Sequence, residues 1–195
     1  MTINLSKGGN ISLAKVAPGL THAGVGLGWN PRTTDGAPFD LDASAVVIDA
    51  DGKALSDAHF VFYNNPKDPS GGVAHLGDNR TGDGDGDDET LTVDLAALPA
   101  DAHRVVFLAS IDQADVRRQT FGQVSNAYIR VYDADHPADT ETAARFDLGE
   151  DASTETALIF GELYRNGTEW KFRAVGQGYT SGLAGVLTEF GLLAG

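Results

Sequence analysis

The sequence predicts an all-β protein, a β-sandwich of two packed sheets with long loops and a short C-terminal helix. Three observations carry that prediction. Short β-branched or alternating segments recur along nearly the whole chain, turn dipeptides separate them, and helical periodicity is confined to one stretch near the end. A length of 195 residues with 42% apolar content suits one domain over 1–195 with a sizeable core.

Taken in order, strands are expected near Ile11–Leu13, Ala23–Trp29, Leu41–Asp49 and His59–Tyr63. A long loop is expected over Asn64–Leu76, where Pro66, Pro69, Gly71 and Gly72 cluster. Further strands are expected near Thr90–Leu95, Arg104–Ile111, Asn126–Asp133, Ala144–Leu148, Ala157–Arg165 and Glu169–Val175. Val105-Val106-Phe107-Leu108-Ala109 is continuously apolar, as befits a central strand covered on both faces. Asp51-Gly52 and Asn166-Gly167 are hairpin dipeptides. Leu95–Leu98, stopped by Pro99, gives at most one helical turn. Ser181–Phe190 places Leu183, Val186, Leu187 and Phe190 at helical spacing, with Ser181 as N-cap and Gly191 as stop.

The densest chemistry lies between Gly77 and Glu89, where Asp78, Asp83, Asp85, Asp87, Asp88 and Glu89 are packed around Gly82, Gly84 and Gly86. Like charges a few Å apart repel by about 1 kcal/mol even in water, and the glycines add freedom that order must remove. A hard cation relieves both, calcium first, since it takes 6–8 oxygens in a pliable shell. The solvated acidic loop is the alternative. Against it stand the Asn79 beside Asp78, the alternate glycines and a strand that follows at once. An upstream partner is also available. In Phe39-Asp40-Leu41-Asp42-Ala43-Ser44-Ala45, period-2 alternation puts Asp40, Asp42 and Ser44 on one face. Two such carboxylates, about 7 Å apart, can both reach one metal cluster. The loop fits neither an EF-hand, whose turn glycine would fall on Asp88, nor a stacked glycine-aspartate repeat, since the motif occurs once.

A net charge of −14 and a pI near 4.5 exclude direct nucleic-acid binding and simple adsorption to anionic lipid. There are no cysteines, hence no disulfide, thiolate metal site or thiol redox chemistry. No signal-type or membrane-spanning apolar run is present, so a cytoplasmic location is expected, with membrane association only through a partner. Catalytic constellations are also missing. The five histidines lack metalloprotease spacing, Thr180 stands where a nucleophile elbow needs serine, and Gly24-Val25-Gly26-Leu27-Gly28-Trp29 lacks the last glycine of a dinucleotide loop. His75, two residues before the acidic loop, reads as a loop histidine more readily than as an outer partner of a metal site. The expectation is a protein that is not an enzyme. The competing reading is a metal-dependent hydrolase of phosphatase or nuclease type using the same carboxylates. A third is a structural metal in an assembly subunit.

Several of these segments together resemble the TerD family of bacterial tellurite-resistance and general stress proteins. They are Leu5-Ser6-Lys7-Gly8-Gly9-Asn10, Phe39–Ser44, the Gly77–Glu89 loop, Phe121-Gly122-Gln123-Val124, Gly161–Arg165, Trp170–Ala174 and Gly176–Tyr179. The resemblance covers essentially the whole chain. It implies a calcium-binding β-sandwich with two neighbouring ions held by the Asp40/Asp42 element and the acidic loop. The family pattern falls on Gly77, Asp78, Asn79, Thr81, Gly82, Gly84, Gly86, Asp87, Asp88 and Glu89. The resemblance thus implies metal ligation by Asp40, Asp42, Asp78, Asn79, Thr81, Gly84, Asp87, Asp88 and Glu89. Asp83 and Asp85 fall on variable positions and are expected to contribute backbone carbonyls or outer charge more than side-chain ligands. One departure is Ile111-Asp112-Gln113-Ala114, where relatives read Ile-Tyr-Asp-Ala. The family name itself supplies no mechanism; the leading reading of the residues is a calcium-ordered scaffold or sensor for protein partners in a stress-response complex.

Overall fold

The computed structural model describes residues 2–31, 36–77, 86–136, 143–148 and 153–193. Twelve strands are described. They are β1 (Ile3–Asn4), β2 (Asn10–Ser12), β3 (His22–Gly28), β4 (Leu41–Ile48), β5 (Phe60–Val61), β6 (Val73–Gly77), β7 (Glu89–Asp94), β8 (Arg104–Ile111), β9 (Tyr128–Asp133), β10 (Ala144–Asp147), β11 (Ala157–Asn166) and β12 (Glu169–Tyr179). They form two six-stranded sheets, ordered β1-β10-β9-β3-β7-β6 and β2-β12-β11-β8-β4-β5. All pairings are antiparallel except β1 with β10. Three helices are described: α1 (Leu13–Val16), α2 (Ala114–Arg117) and α3 (Gly182–Glu189). No helix among the described residues is long and apolar enough to cross a membrane.

The alternation expected of β4 holds. Phe39, Leu41, Ala43, Ala45 and Val47 enter the core between the sheets, and Val46 and Ile48 join a second apolar cluster on the opposite side. Strand β8 divides in the same way, with Val105, Phe107 and Ala109 inward and Val106 and Leu108 outward. Helix α3 covers that outer cluster with Val186 and Leu187, and Phe190 follows at its end. This explains the continuous apolar run: the strand is covered on both faces. Gly191 closes the helix at φ +79°, as its position predicts, but Ser181 makes no side-chain capping bond.

The expected loop over Asn64–Leu76 is partly a strand. Asp68 Oδ1 accepts from the backbone N–H of Val73 at 2.7 Å, and its Oδ2 accepts from Ser70 N at 3.1 Å. Those bonds tighten Pro69–Gly72 into a turn and let Val73–Gly77 add to β7 as an edge strand. Strand β1 also went unread, β5 is shorter than expected, and β12 runs on through Gly176 and Gly178 to Tyr179. The β11–β12 hairpin turns on Gly167 and Thr168, with Gly167 at φ +63° in the first central position.

Candidate metal centre

Strand β3 ends, and β4 and β7 begin, at one end of the sandwich. Leu27 pairs with Glu89, and Leu41 pairs with Ile111 at the end of β8. The acidic stretch enters β7 here, so the last three residues of the motif, Asp87, Asp88 and Glu89, can be followed individually. Asp78, Asn79, Thr81 and Gly84, with Asp83 and Asp85, lie outside the described residues.

Glu89 is 2% exposed and points between the sheets. Its Oε2 accepts a short hydrogen bond from the backbone N–H of Ala43. Strand β4 pairs with β8 along one side, and β5 covers the other only at Ala45 and Val46. The carboxylate therefore satisfies an edge donor of β4 from the opposite sheet, where an unpaired buried N–H would be costly. His75 on β6 is buried too, with its Nε2 3.5 Å from Glu89 Oε2. It is a strand residue beside the motif rather than a loop histidine.

Asp88 lies one residue earlier. Its Oδ2 accepts from Trp29 N at 2.8 Å, and its own N–H bonds to Leu27 O at 2.8 Å. Asp87 turns the other way, over the outer face of β3. Arg130 Nε donates to its Oδ1 and Oδ2 at 2.8 and 3.0 Å, and the Tyr128 hydroxyl donates to Oδ1 at 3.0 Å. Burial and the neighbouring Asp87 push the Tyr128 phenol up to about 12. The same hydroxyl bonds to Gly86 O at 2.8 Å, which ties down the end of the acidic stretch.

This packing explains the alternating glycines of β3. A Cβ on Gly24 would meet the Tyr132 ring at 2.4 Å, one on Gly26 the Asp87 carboxylate at 1.9 Å, and one on Gly28 the Tyr128 ring at 2.4 Å. Three side chains lie flat on a strand face that only glycine leaves open. Sequence alone carried a signal for this in the Gly-x-Gly-x-Gly spacing, but not the identity of what covers it.

Asp40 is 5% exposed, with Oδ2 3.6 Å from Arg117 Nη1. Arg117 also donates to Asp112 Oδ2 at 3.0 Å, and Asp112 N bonds to Asp40 O at 2.8 Å. The departure at Asp112 and Gln113 is thus absorbed locally: Gln113 Nε2 donates to the same Asp112 oxygen at 2.9 Å. Asp42 and Ser44 share the face of β4 away from the core and line a cavity there.

Among the described residues, no three acidic or histidine side chains converge into a group fit for a metal ion. The oxygen chemistry nevertheless suits a hard cation. Asp88 and Glu89 each accept a backbone N–H, and a carboxylate has about four acceptor sites. Gln119, which sequence reasoning missed, is a buried amide packed against the chain just ahead of Asp40. Its Nε2 donates to Ala37 O and Pro38 O at 2.8 and 3.2 Å, just before Asp40, which fixes the amide orientation. Its Oε1 is then a buried carbonyl oxygen with no hydrogen-bond partner among the described residues.

This two-sheet sandwich, in which the end of the acidic motif is bonded to the Asp-Leu-Asp strand through Glu89 and Ala43, is of the class of stress and tellurium-resistance domains. The TerD domain model matches residues 1–190. The chain is 55% identical over 194 residues to "Tellurium resistance protein TerD" of an Alcaligenes species, covering 100% of both chains. It is 48% identical over 196 residues to "General stress protein 16U" of Bacillus subtilis strain 168, again with 100% of each covered. Its fold is similar to the crystal structure of a homologue of telluride resistance protein (TerD) from Streptomyces coelicolor A3(2). There the TM-score is 0.71 at 27% identity, over 90% of this chain and 100% of that one. This chain belongs to the TerD family.

Proposed function

We propose that this protein is a calcium-binding stress-response protein that acts by binding, not by catalysis, and presents a metal-ordered surface to protein partners in the cytoplasm. One observation carries the reading: Glu89, the last residue of the acidic motif, is hydrogen-bonded to Ala43, between Asp42 and Ser44. The loop and the Asp40/Asp42 strand are therefore joined where the motif ends, and acidic groups from two sheets are held at one end of the fold.

In this reading Asp40, Asp88 and Glu89 supply carboxylate oxygen and Gln119 a neutral one, together with Asp78, Asn79, Thr81 and Gly84 of the loop. Asp42 adds negative charge at the start of β4. Asp87 anchors the stretch through Arg130 and Tyr128. Bound calcium supplies positive charge that offsets the repulsion within the motif and stabilises the folded state by mass action.

Calorimetric titration of calcium into chelator-stripped protein, with magnesium in physiological excess, tests this. Micromolar binding at one or two sites is the expected outcome. Millimolar binding or none would leave the motif a solvated acidic loop.

A further inference from the structure

On the outer face of the second sheet, between β4 and the start of α3, lies a cavity of about 540 Å³. Its lining is unusual in combining three features. Asp42, Asp112 and Asp115 contribute carboxylates, and among the described residues no lysine, arginine or histidine lines it. Phe60, Phe62 and Tyr63 form an aromatic wall, with Phe60 and Phe62 stacked at 4.6 Å and Tyr63 edge-on to Phe62 at 5.5 Å. At the floor, Ser44 is 2% exposed, and its hydroxyl has no hydrogen-bond partner among the described residues. A buried hydroxyl left without a partner costs about 1–3 kcal/mol, so its place in the lining marks a point where a ligand atom is wanted.

The chemistry of the occupant follows by elimination. An anion is disfavoured by three carboxylates, one of them, Asp112, offset by Arg117. The N-terminus of α3 contributes only about half a positive charge. A metal ion would want 6–8 converging oxygens, and among the described residues the acids here form no metal-binding group. A purely apolar ligand would strand the hydroxyls of Ser44, Ser110 and Thr156. Carboxylates spaced apart beside an aromatic wall suit an extended organic cation, whose charged end is attracted by carboxylate and ring face alike.

We propose that this cavity is a binding site for an alkylammonium or guanidinium group. The group enters past Tyr63 and Val116, which are 53% and 79% exposed, with its hydrocarbon against Phe62 and its N–H donors toward Ser44 and the carboxylates. This goes beyond the calcium reading and does not rest on it.

The test is amide NMR and calorimetric titration of the full chain, calcium-saturated and chelator-stripped, with three probes at physiological ionic strength. Putrescine and agmatine stand for a free metabolite, and a capped lysine-containing tripeptide stands for a protein side chain. Saturable shifts centred on Ser44, Ser110 and Phe62 are expected for at least one probe, and which probe binds tells the two sources apart. Phe62→Leu should weaken that binding by roughly tenfold, the size of a partly desolvated cation–π contact, and Asp115→Asn should weaken it by removing a carboxylate charge, while calcium binding is unchanged. Ser44→Ala should weaken it too, yet leave the unliganded melting temperature the same or higher. Shifts scattered over the acidic surface, no saturable shift with any probe, or a Ser44→Ala protein that melts lower without ligand would each overturn the proposal. Loss of calcium binding with the cavity still responsive would sink only the calcium reading.

Discussion

The carboxylate of Glu89 in the first sheet accepts the backbone N–H of Ala43 in the second, so one side chain closes the sandwich where the acidic motif ends. Glu89→Leu leaves that N–H buried without its acceptor, and thermal or urea unfolding should show a loss of about 1–3 kcal/mol. The loss should persist in excess chelator, because this bond belongs to the fold itself. A variant as stable as the parent in chelator would show that Glu89 serves the metal alone.

Asp88→Ala should weaken calcium binding far more than Asp83→Ala. Asp88 is held by Trp29 N at the sandwich end, whereas Asp83 is expected to contribute a backbone carbonyl or outer charge rather than a side-chain ligand and lies outside the described residues. Gln119→Leu should fall between them, losing one neutral oxygen but no charge. Calorimetry on the three variants decides the order, and equal losses would refute the ligand assignment.

Gly26→Ala places a methyl group 1.9 Å from Asp87 Oδ2, so the Asp87–Arg130–Tyr128 cluster must shift. Overpacking of this kind costs about 1–3 kcal/mol. Gly77→Ala is the control: its Cβ meets none of the described residues within 4 Å, and melting should move little. In the same cluster the raised phenol of Tyr128 favours its neutral form in the fold. Its contribution is complete below the usual value of 10 and fades as pH climbs toward about 12. Gly26→Ala should narrow the alkaline range over which the protein stays folded, as followed by tyrosinate absorbance.

His22 Nδ1 lies 2.9 Å from Asp135 Oδ2, and this contact raises the imidazole above its usual 6.5. The Asp135 carboxyl is lowered below 3.8 by the same bond. The His22 contribution is present below 6.5 and lost as pH rises through its folded value. The Asp135 contribution is present above 3.8 and lost as pH falls. Both groups are exposed, so the expected signal is a shifted NMR titration rather than a change in melting. Asp135→Asn should return His22 toward 6.5, and an unshifted His22 in the parent would rule the contact out.

Much of this was legible in the sequence. Period-2 alternation set Phe39, Leu41 and Ala43 on the face opposite Asp40 and Asp42, and helical spacing marked Val186 and Leu187 as one face of a C-terminal helix, though not the sheet it covers. Both are local patterns read by one buried face. What stayed hidden depends on partners far along the chain. Val73–Gly77 is a strand only because β7 is there to receive it, and the Pro/Gly cluster before it disguised a turn held by Asp68. The direction taken by Asp87 was equally hidden. The six acids of the motif read alike, yet Arg130 and Tyr128, more than forty positions on, draw this one to the outer face of β3. Gln119 gave no sign at all, since a lone amide acquires meaning only from the carbonyls at 37 and 38 that fix it.

The rims of the two sheets have a bearing on how this protein behaves in bulk. The outermost strands are β1 and β6 in one sheet and β2 and β5 in the other, with two, five, three and two residues. The longest of them breaks register between His75 and Gly77. Long straight rims template pairing between copies, and short or bulged ones do not. Together with the net charge of −14, by which copies repel one another, such rims disfavour edge-to-edge joining of one copy to the next.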